Sequence, residues 1–194
     1  MQLVKLPEDG CTGSTEAELV SLASAGDKNA FASLYERYLD PLFRYFYYRV
    51  GHRQDAEDLT EQVFLKAWQN IANYKSRGTP FSAWLYRIAH NLLVDYHRTR
   101  HETEELDDSL KIEDDTASPD ELLVRREEAR ELASALVQLS PVEQSVVVLR
   151  LIQGLDHRTV ASIIGKSETA TRSIQSRALA RLARILEARE RRGS

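Results

Sequence analysis

Five side chains near the C-terminus have types and a spacing suited to contact with nucleic acid. They are Thr169, Arg172, Ser173, Ser176 and Arg177. Arginine pairs with phosphate oxygens or with the major-groove edge of guanine, and small hydroxyl side chains permit close approach. At about 100° per residue all five share one side of a helix. The pattern therefore predicts a face that reads DNA, with an ordinary solvated basic face as the alternative.

The elements around this face follow the order of a helix-turn-helix. An apolar stripe on the other side of the same helix should pack inward and includes Thr171, Ile174, Ala178, Leu182 and Ile185. A shorter apolar helix precedes it and ends at Gly165, where a left-handed backbone costs least. Ser167 can then cap the next helix. The second helix is thus placed to enter a major groove.

Capping signals predict that the chain is all-α, with about eight helices. Thr15 and Glu18 form a possible capping box, and Asp27 and Gly51 should bound a helix over residues 28–50. Further helices are predicted over residues 54–71 and 80–100, the latter after a Thr79-Pro80 start. The same kind of start, a capping residue followed by proline, occurs as Ser-Pro-x-Glu at Ser118 and at Ser140. Residues 146–149 favour strand by propensity, but their capped start and apolar spacing favour helix.

Charge is unevenly distributed along the 194 residues, although the net charge is only -4. Residues 1–101 are neutral, residues 102–121 carry a net charge of -9, and residues 122–194 carry +5. The acidic segment lacks aromatic residues and periodicity, which is typical of a flexible linker. The sequence therefore predicts two small helical domains joined by a flexible acidic linker.

Composition argues against a membrane protein, a secreted protein and a metalloenzyme. The chain has a single cysteine and no apolar run of about 18 residues, so we expect a cytoplasmic protein with no membrane insertion. His97 and His101 have the spacing of a metal pair, but no third ligand joins them. No phosphate-binding loop or nucleophile motif is present. We expect no catalytic residue, metal or cofactor.

Two segments in the first half carry a resemblance to a known family. Residues 55–68 read DAEDLTEQVFLKAW, and residues 81–96 read FSAWLYRIAHNLLVDY. With the helix-turn-helix, the chain resembles the extracytoplasmic-function (group 4) sigma factors of bacterial RNA polymerase, in the sigma-70 family. The resemblance implies an N-terminal tail over 1–13, a region 2 domain over 14–101, a linker over 102–118 and a region 4 domain over 119–194.

The first segment resembles the surface that binds the clamp helices of core RNA polymerase. Its residues here would be Asp55, Glu57, Asp58, Glu61 and Gln62. Four apolar residues of the same helix, Leu59, Val63, Phe64 and Trp68, should face inward. An exposed acidic helix face without a partner is the alternative.

The second segment resembles the part that recognises and opens the minus-ten promoter element. The matching residues are Arg77, Gly78, Thr79, Arg87, His90, Asn91 and Arg98. Their basic and polar flank would hold a melted strand, and a loop at residues 76–79 would receive a flipped base. Phe81, Leu85, Ile88, Leu92 and Tyr96 should form the core stripe, and Trp84 is expected in the core. His90 and His97 are expected on the side away from it.

The helix-turn-helix resembles the domain that binds the minus-thirty-five element as duplex, through Thr169, Arg172, Ser173, Ser176 and Arg177. Part of this domain would dock on the polymerase flap. In the family the linker threads the polymerase cleft, where its carboxylates would mimic phosphate. A solubilising spacer is the alternative.

The function implied by the resemblance is promoter-specific initiation of transcription in a stress or signal response. The expected partners are core RNA polymerase, promoter DNA and an anti-sigma factor, and the free protein is expected to be a monomer. A polymerase-independent helix-turn-helix regulator is the alternative. It would explain residues 140–186 but not residues 55–96.

Overall fold

The computed structural model describes residues 15–75, 79–103 and 132–193. Within these ranges all regular elements are helical, as the sequence predicts. They are α1 (Glu16–Ser24), α2 (Lys28–Val50), α3 (Arg53–Asn70), a 3-10 turn (Ile71–Asn73), α4 (Phe81–Thr103), α5 (Pro141–Val147), a π-helical turn (Val148–Ile152), α6 (His157–Ile164) and α7 (Glu168–Gly193). Residues 132–136 are also helical.

Local capping chemistry explains most of the helix boundaries. The Asp27 carboxylate accepts from the backbone N–H groups of Asn29 and Ala30 at 2.8 and 3.1 Å, and Gly51 ends α2 with φ 75°. Ser140 and Glu143 form the capping box that begins α5. Because these groups satisfy otherwise unpaired backbone donors, the boundaries follow from neighbouring residues. Helix α4 begins at Phe81 and extends three residues past the expected end at Arg100.

The core is continuous across both halves of the chain. In the first half Leu34, Leu42, Tyr45 and Phe46 of α2 are buried, and α2 packs mainly on α1 and α3. Burial of a side chain such as Phe46 contributes roughly 1.5–3 kcal/mol. In the second half the buried apolar residues include Leu136, Val146, Leu149, Val160 and Ala178. Residues 146–149 are helical and buried, so the helix interpretation of this segment is confirmed.

Several predictions for the fold lie outside the described residues. These are the tail over 1–13, the acidic linker beyond residue 103 and the helix start at Ser118-Pro119. The prediction that Trp68 faces inward is wrong, because 38 % of its surface is exposed. Its ring packs edge-on against Phe31 with centroids 4.9 Å apart, and a side chain this large leaves its outer edge in solvent.

Candidate nucleic-acid interface

The acidic residues predicted for polymerase binding lie together on α3, on what we call the α3 acidic surface (Asp55, Glu57, Asp58, Glu61 and Gln62). Arg53 Nε lies 2.8 Å from Glu57 Oε1, and Gln54 Nε2 donates to Asp58 Oδ1 at 3.0 Å. Glu61 and Gln62 are exposed. Because these contacts are local and solvent-accessible, they constrain the side chains only weakly. The carboxylates therefore remain available to a basic partner.

Asp55 differs from its neighbours because it is tied to α4. The Tyr96 hydroxyl donates to Asp55 Oδ2 at 2.6 Å, and Arg100 Nη1 donates to the same hydroxyl at 2.9 Å. Burial, followed by the bond to Asp55, raises the pKa of Tyr96 to about 12. The pair stands beside an open groove of about 690 Å³ whose lining also includes Gln62 and His52. Sequence reasoning placed Tyr96 only in the core stripe, and it missed this groove.

Four of the predicted minus-ten residues lie along α4, on what we call the α4 flank (Arg87, His90, Asn91 and Arg98). Arg87, Asn91 and Arg98 are exposed. Arg98 Nη2 lies 3.0 Å from Asp95 Oδ1, and Arg87 Nη2 donates to the carbonyl of Ser162 on α6 at 3.1 Å. The Arg87 contact joins two segments 75 residues apart, and no sequence pattern predicted it.

His90 is half-buried rather than on the side away from the core, which corrects the sequence expectation. Its Nδ1 atom is buried without a hydrogen-bond partner among the described residues. Burial and the nearby Arg49 charge lower the pKa of His90 to about 4. At neutral pH the ring is therefore uncharged, and it offers a strand of DNA no positive charge. His97 is likewise half-buried.

The loop before α4 is described only in part. Arg77 and Gly78 lie outside the described residues. The Thr79 carbonyl accepts from the Tyr74 hydroxyl at 3.0 Å. Trp84 is partly buried, with its ring centroid 5.1 Å from that of Tyr74 and 5.4 Å from that of Phe81. A cluster of three aromatic side chains therefore packs at the start of α4, beside the loop.

The turn that positions α7 has the predicted geometry. Gly165 has φ 67° in the left-handed region, where glycine avoids the strain of a side chain. The Ser167 hydroxyl accepts from the Ala170 backbone N–H at 3.1 Å. His157 on α6 and Gln175 on α7 lie 2.6 Å apart through Nε2 and Oε1. Sequence reasoning did not identify that pair, which fixes the two helices of the motif together.

The predicted reading residues are all exposed on α7, and we call them the α7 polar face (Thr169, Arg172, Ser173, Ser176 and Arg177). Arg172 Nη2 lies 2.5 Å from Glu168 Oε1, and Arg177 Nε donates to the Ser173 carbonyl at 3.4 Å. Both contacts lie within one helix and are exposed to solvent. Replacing them by contacts with DNA therefore costs little free energy. Ile174 is partly buried and packs on the core, as the apolar stripe predicts.

Comparison with known families identifies both halves of the chain. Residues 34–103 match the family model Sigma-70 region 2, and residues 135–184 match Sigma-70, region 4. The chain therefore belongs to the sigma-70 family of RNA polymerase sigma factors. It is of the extracytoplasmic-function (ECF) type, as the names of its relatives indicate.

Individual relatives support the same class. The chain is 38 % identical over 174 residues to the ECF RNA polymerase sigma factor BldN of Streptomyces coelicolor, an alignment covering 87 % of this chain and 65 % of BldN. It is 28 % identical over 166 residues to the ECF sigma factor SigX of Bacillus subtilis, covering 82 % and 85 %. The chain thus spans slightly less than two thirds of BldN.

A solved structure also resembles the fold. It is CnrH in complex with the cytosolic domain of CnrY, with a TM-score of 0.67 and 26 % identity. The match covers 88 % of this chain and 96 % of CnrH. Within the described ranges, no helix is both long enough and apolar enough to cross a membrane.

Proposed function

We propose that this protein binds core RNA polymerase through the α3 acidic surface and directs it to promoters that its own side chains recognise. The observation that carries the proposal is the order of three exposed surfaces along one chain: acidic on α3, basic and polar on the α4 flank, and basic and polar on α7. We assign residues 14–101 to region 2 and residues 119–194 to region 4, with the acidic linker over 102–118 between them.

The α3 acidic surface is suited to a basic protein partner. The carboxylates of Glu57 and Asp58 lie on one turn and that of Glu61 lies on the next, and neither of the two local bonds there is buried. Opposite charge across an interface mainly sets on-rate and register. The groove beside Asp55 adds apolar lining from Leu59 and Leu92, so one partner element could contact both the charged rim and the groove.

The two proposed DNA-binding surfaces would bind different forms of DNA. On the α4 flank, exposed Arg87 and Arg98 would hold the phosphates of a melted strand, and Asn91 would bond a base. On the α7 polar face, Arg172 and Arg177 would read duplex DNA in the major groove. We further assign Thr79 and the neighbouring Arg77 and Gly78 to the loop that receives a flipped base. His90 would contribute shape but no positive charge to the α4 flank, because its ring is neutral.

Run-off transcription tests the proposal. Core polymerase with and without the protein is supplied with a promoter library of randomised sequence, and transcripts are sequenced. We expect initiation at a subset of sequences that share two elements, only when the protein is present. Core polymerase plus protein that initiates on no sequence would overturn the proposal. Strong sequence-specific DNA binding by the free protein as a dimer would instead favour the polymerase-independent regulator.

We also propose that a protein partner restrains this sigma factor in a signal response. CnrH was solved with the cytosolic domain of CnrY, and this chain shares its fold. The proposal places the protein in the cytoplasm, as a monomer when free of partners. The test isolates proteins that copurify with the tagged chain, then adds each to the run-off reaction. A partner that reduces transcription is expected; full activity of the copurified complexes would contradict the restraint.

A further inference from the structure

One wall of the groove between α3 and α4 is held in place by three side chains bonded in series. The Tyr96 hydroxyl on α4 donates to Asp55 Oδ2 on α3 at 2.6 Å, and Arg100 Nη1 donates to the same hydroxyl oxygen at 2.9 Å. All three residues are half-buried. A hydroxyl that accepts from a cation is polarised and becomes a stronger donor. Arg100 therefore strengthens the bond by which Tyr96 holds the Asp55 carboxylate.

Asp55 is held differently from the other carboxylates of the α3 acidic surface. Glu57 and Asp58 accept bonds from residues one turn earlier on the same helix, at 2.8 and 3.0 Å. Such local surface contacts fix a side chain only weakly. The bond to Asp55 instead comes from a second helix, 41 residues away in sequence, and it occupies Oδ2. Within the described ranges Asp55 thus presents a carboxylate of fixed orientation whose Oδ1 can accept from a partner.

The groove itself, of about 690 Å³, fits a basic side chain. Its lining includes the apolar side chains of Leu59 and Leu92 and the carboxylates of Asp55 and Asp95. Lysine and arginine combine an apolar stem with a cationic head, so the stem can lie on the leucines while the head pairs with Asp55. The one guanidinium of the lining, that of Arg100, already donates to Tyr96. An ion pair in such a partly desolvated recess contributes more to affinity than one on an exposed rim.

We infer that Tyr96, supported by Arg100, is a positioning residue for the binding of core RNA polymerase, which fixes Asp55 to receive a basic side chain of the polymerase in the groove. The inference rests on the proposed function of the α3 acidic surface and adds a residue of α4 to it. Without the hydroxyl, the carboxylate has to become ordered when the partner binds, and that ordering reduces affinity.

Tyr96→Phe tests this role, because it removes the hydroxyl and keeps the ring that lines the groove. Fluorescence anisotropy with labelled protein measures the affinity for core polymerase. We expect affinity to fall by roughly 2-fold to 12-fold, the cost of ordering one side chain. Asp55→Ala should also weaken binding. In the Asp55→Ala background, Tyr96→Phe should have no further effect, because no carboxylate remains for the hydroxyl to position.

Tyr38→Phe is the matched control for the loss of a hydroxyl. Tyrosine hydroxyls elsewhere in this half donate to groups away from α3: that of Tyr38 donates to the Glu16 carboxylate on α1, and that of Tyr86 donates to Gln153 Oε1 at 2.6 Å. Tyr38→Phe therefore removes the same kind of bond in the same domain. It should reduce the free energy of unfolding in urea and leave the affinity for core polymerase unchanged. Equal loss of affinity in Tyr38→Phe and Tyr96→Phe would overturn the inference, since general destabilisation would then explain both.

The double substitution separates positioning from a purely structural role. If Tyr96→Phe weakens binding by the same factor with and without Asp55, its effect does not pass through the carboxylate and the inference is wrong. Unchanged affinity of Tyr96→Phe for core polymerase would overturn it as well. Failure of the proposed function gives a different result, because the unsubstituted chain would then not bind core polymerase at all. If Asp58→Arg weakens binding and Tyr96→Phe does not, the proposed function stands and only the role of Tyr96 fails.

Discussion

Arg49 on α2 donates a hydrogen bond from Nε to the side-chain oxygen of Gln144 on α5 at 3.1 Å, across 95 residues of sequence. Gln144 in turn donates to the carbonyls of Val137 and Leu139 at 3.3 and 3.0 Å. Burial lowers the pKa of Arg49 below its usual value, but a guanidinium remains charged at any physiological pH. A cation on region 2 is therefore solvated by amide and carbonyl groups of region 4.

The first prediction is that Arg49 and Gln144 are energetically coupled. In a double-mutant cycle with Arg49→Met and Gln144→Leu, we expect a coupling free energy of about 1–2 kcal/mol, since hydrogen bonds to charged groups are the stronger class. Urea unfolding measures the free energy of unfolding of each protein. A parallel cycle with Arg37→Met and Gln138→Leu, both exposed positions, should show no coupling. Independent effects at positions 49 and 144 would contradict the contact.

The sequence predicts this structure well where neighbouring residues decide it. Asp27, Gly51, Ser140 and Gly165 act on backbone groups within four residues, so helix ends could be read without knowing the fold. The buried stripe of α7 follows from helical periodicity in the same way. These features depend on residues that are close together in sequence, so they can be predicted from the sequence alone.

The contact between the halves could not be predicted for the opposite reason. Arg49, Gln153 and Tyr86 carry no periodic signal, and their partners are carbonyls or amides that any segment could supply. His90 was misplaced because helical periodicity locates a residue relative to its own helix and does not show which other elements lie near it, such as Arg49 of α2. Trp68 was misplaced because an apolar side chain at a helix end can pack by one edge only. Both errors concern a residue that is distant in sequence but close in the fold: Arg49 near His90, and Phe31 against Trp68.

The second prediction concerns the α3 acidic surface. Asp58→Arg should weaken core polymerase binding, because an interface charge whose partner is left unpaired can cost roughly 2–5 kcal/mol. Asp58 is exposed, and its hydrogen bond within the part of the chain that the structure describes comes from Gln54, one turn earlier on α3, so the fold should remain intact. Fluorescence anisotropy with labelled protein measures affinity, and circular dichroism measures helicity.

Glu36→Arg on α2 is the control for this prediction, because it makes the same charge change at another exposed position of the same domain. It should bind core polymerase nearly as the unsubstituted chain does. If the two variants lose equal affinity, net charge alone explains the effect and the assignment of α3 is wrong. Unchanged affinity for Asp58→Arg would also remove Asp58 from the interface.

The third prediction follows from the lowered pKa of His90, about 4 in the folded protein. The unfolded chain has an ordinary histidine pKa near 6.5, so it binds a proton as the pH falls below that value while the folded protein does not. The associated stability is complete above about pH 6.5 and is lost as the pH falls toward 4. Between pH 7.5 and 5, we expect a loss of about 1 kcal/mol after allowance for partial solvent exposure.

His90→Gln isolates this effect, because glutamine does not titrate. Urea unfolding of both proteins at the two pH values gives the free energies of unfolding, and carboxylates shared by the two proteins cancel in the comparison. The unsubstituted chain should lose more stability on acidification than His90→Gln. Parallel pH profiles would show that His90 titrates as an ordinary exposed histidine.

The last prediction distinguishes two roles for Arg177 on the α7 polar face. Among the described residues its Nε donates only to the Ser173 carbonyl, at 3.4 Å, so the guanidinium can turn toward DNA. If it forms two hydrogen bonds with a guanine, Arg177→Ala should cost about 1–3 kcal/mol and relax preference at one promoter position. If it contacts a phosphate, all sequences should weaken alike and the dependence of affinity on salt should fall by about one ion. Holoenzyme binding to a promoter library across a salt series separates these outcomes.

Arg184→Ala is the matched control, because Arg184 lies two helical turns further along the same side of α7 and its Nε also donates to a carbonyl of its own helix, that of Ala180 at 3.3 Å. The spacing of seven residues carries Arg184 about 10 Å along the axis, beyond the turns nearest the helix N-terminus that enter a groove in this motif. We therefore expect Arg184→Ala to leave sequence preference unchanged. Equal loss in both variants would mean that α7 contributes general positive charge and no reading of sequence at Arg177.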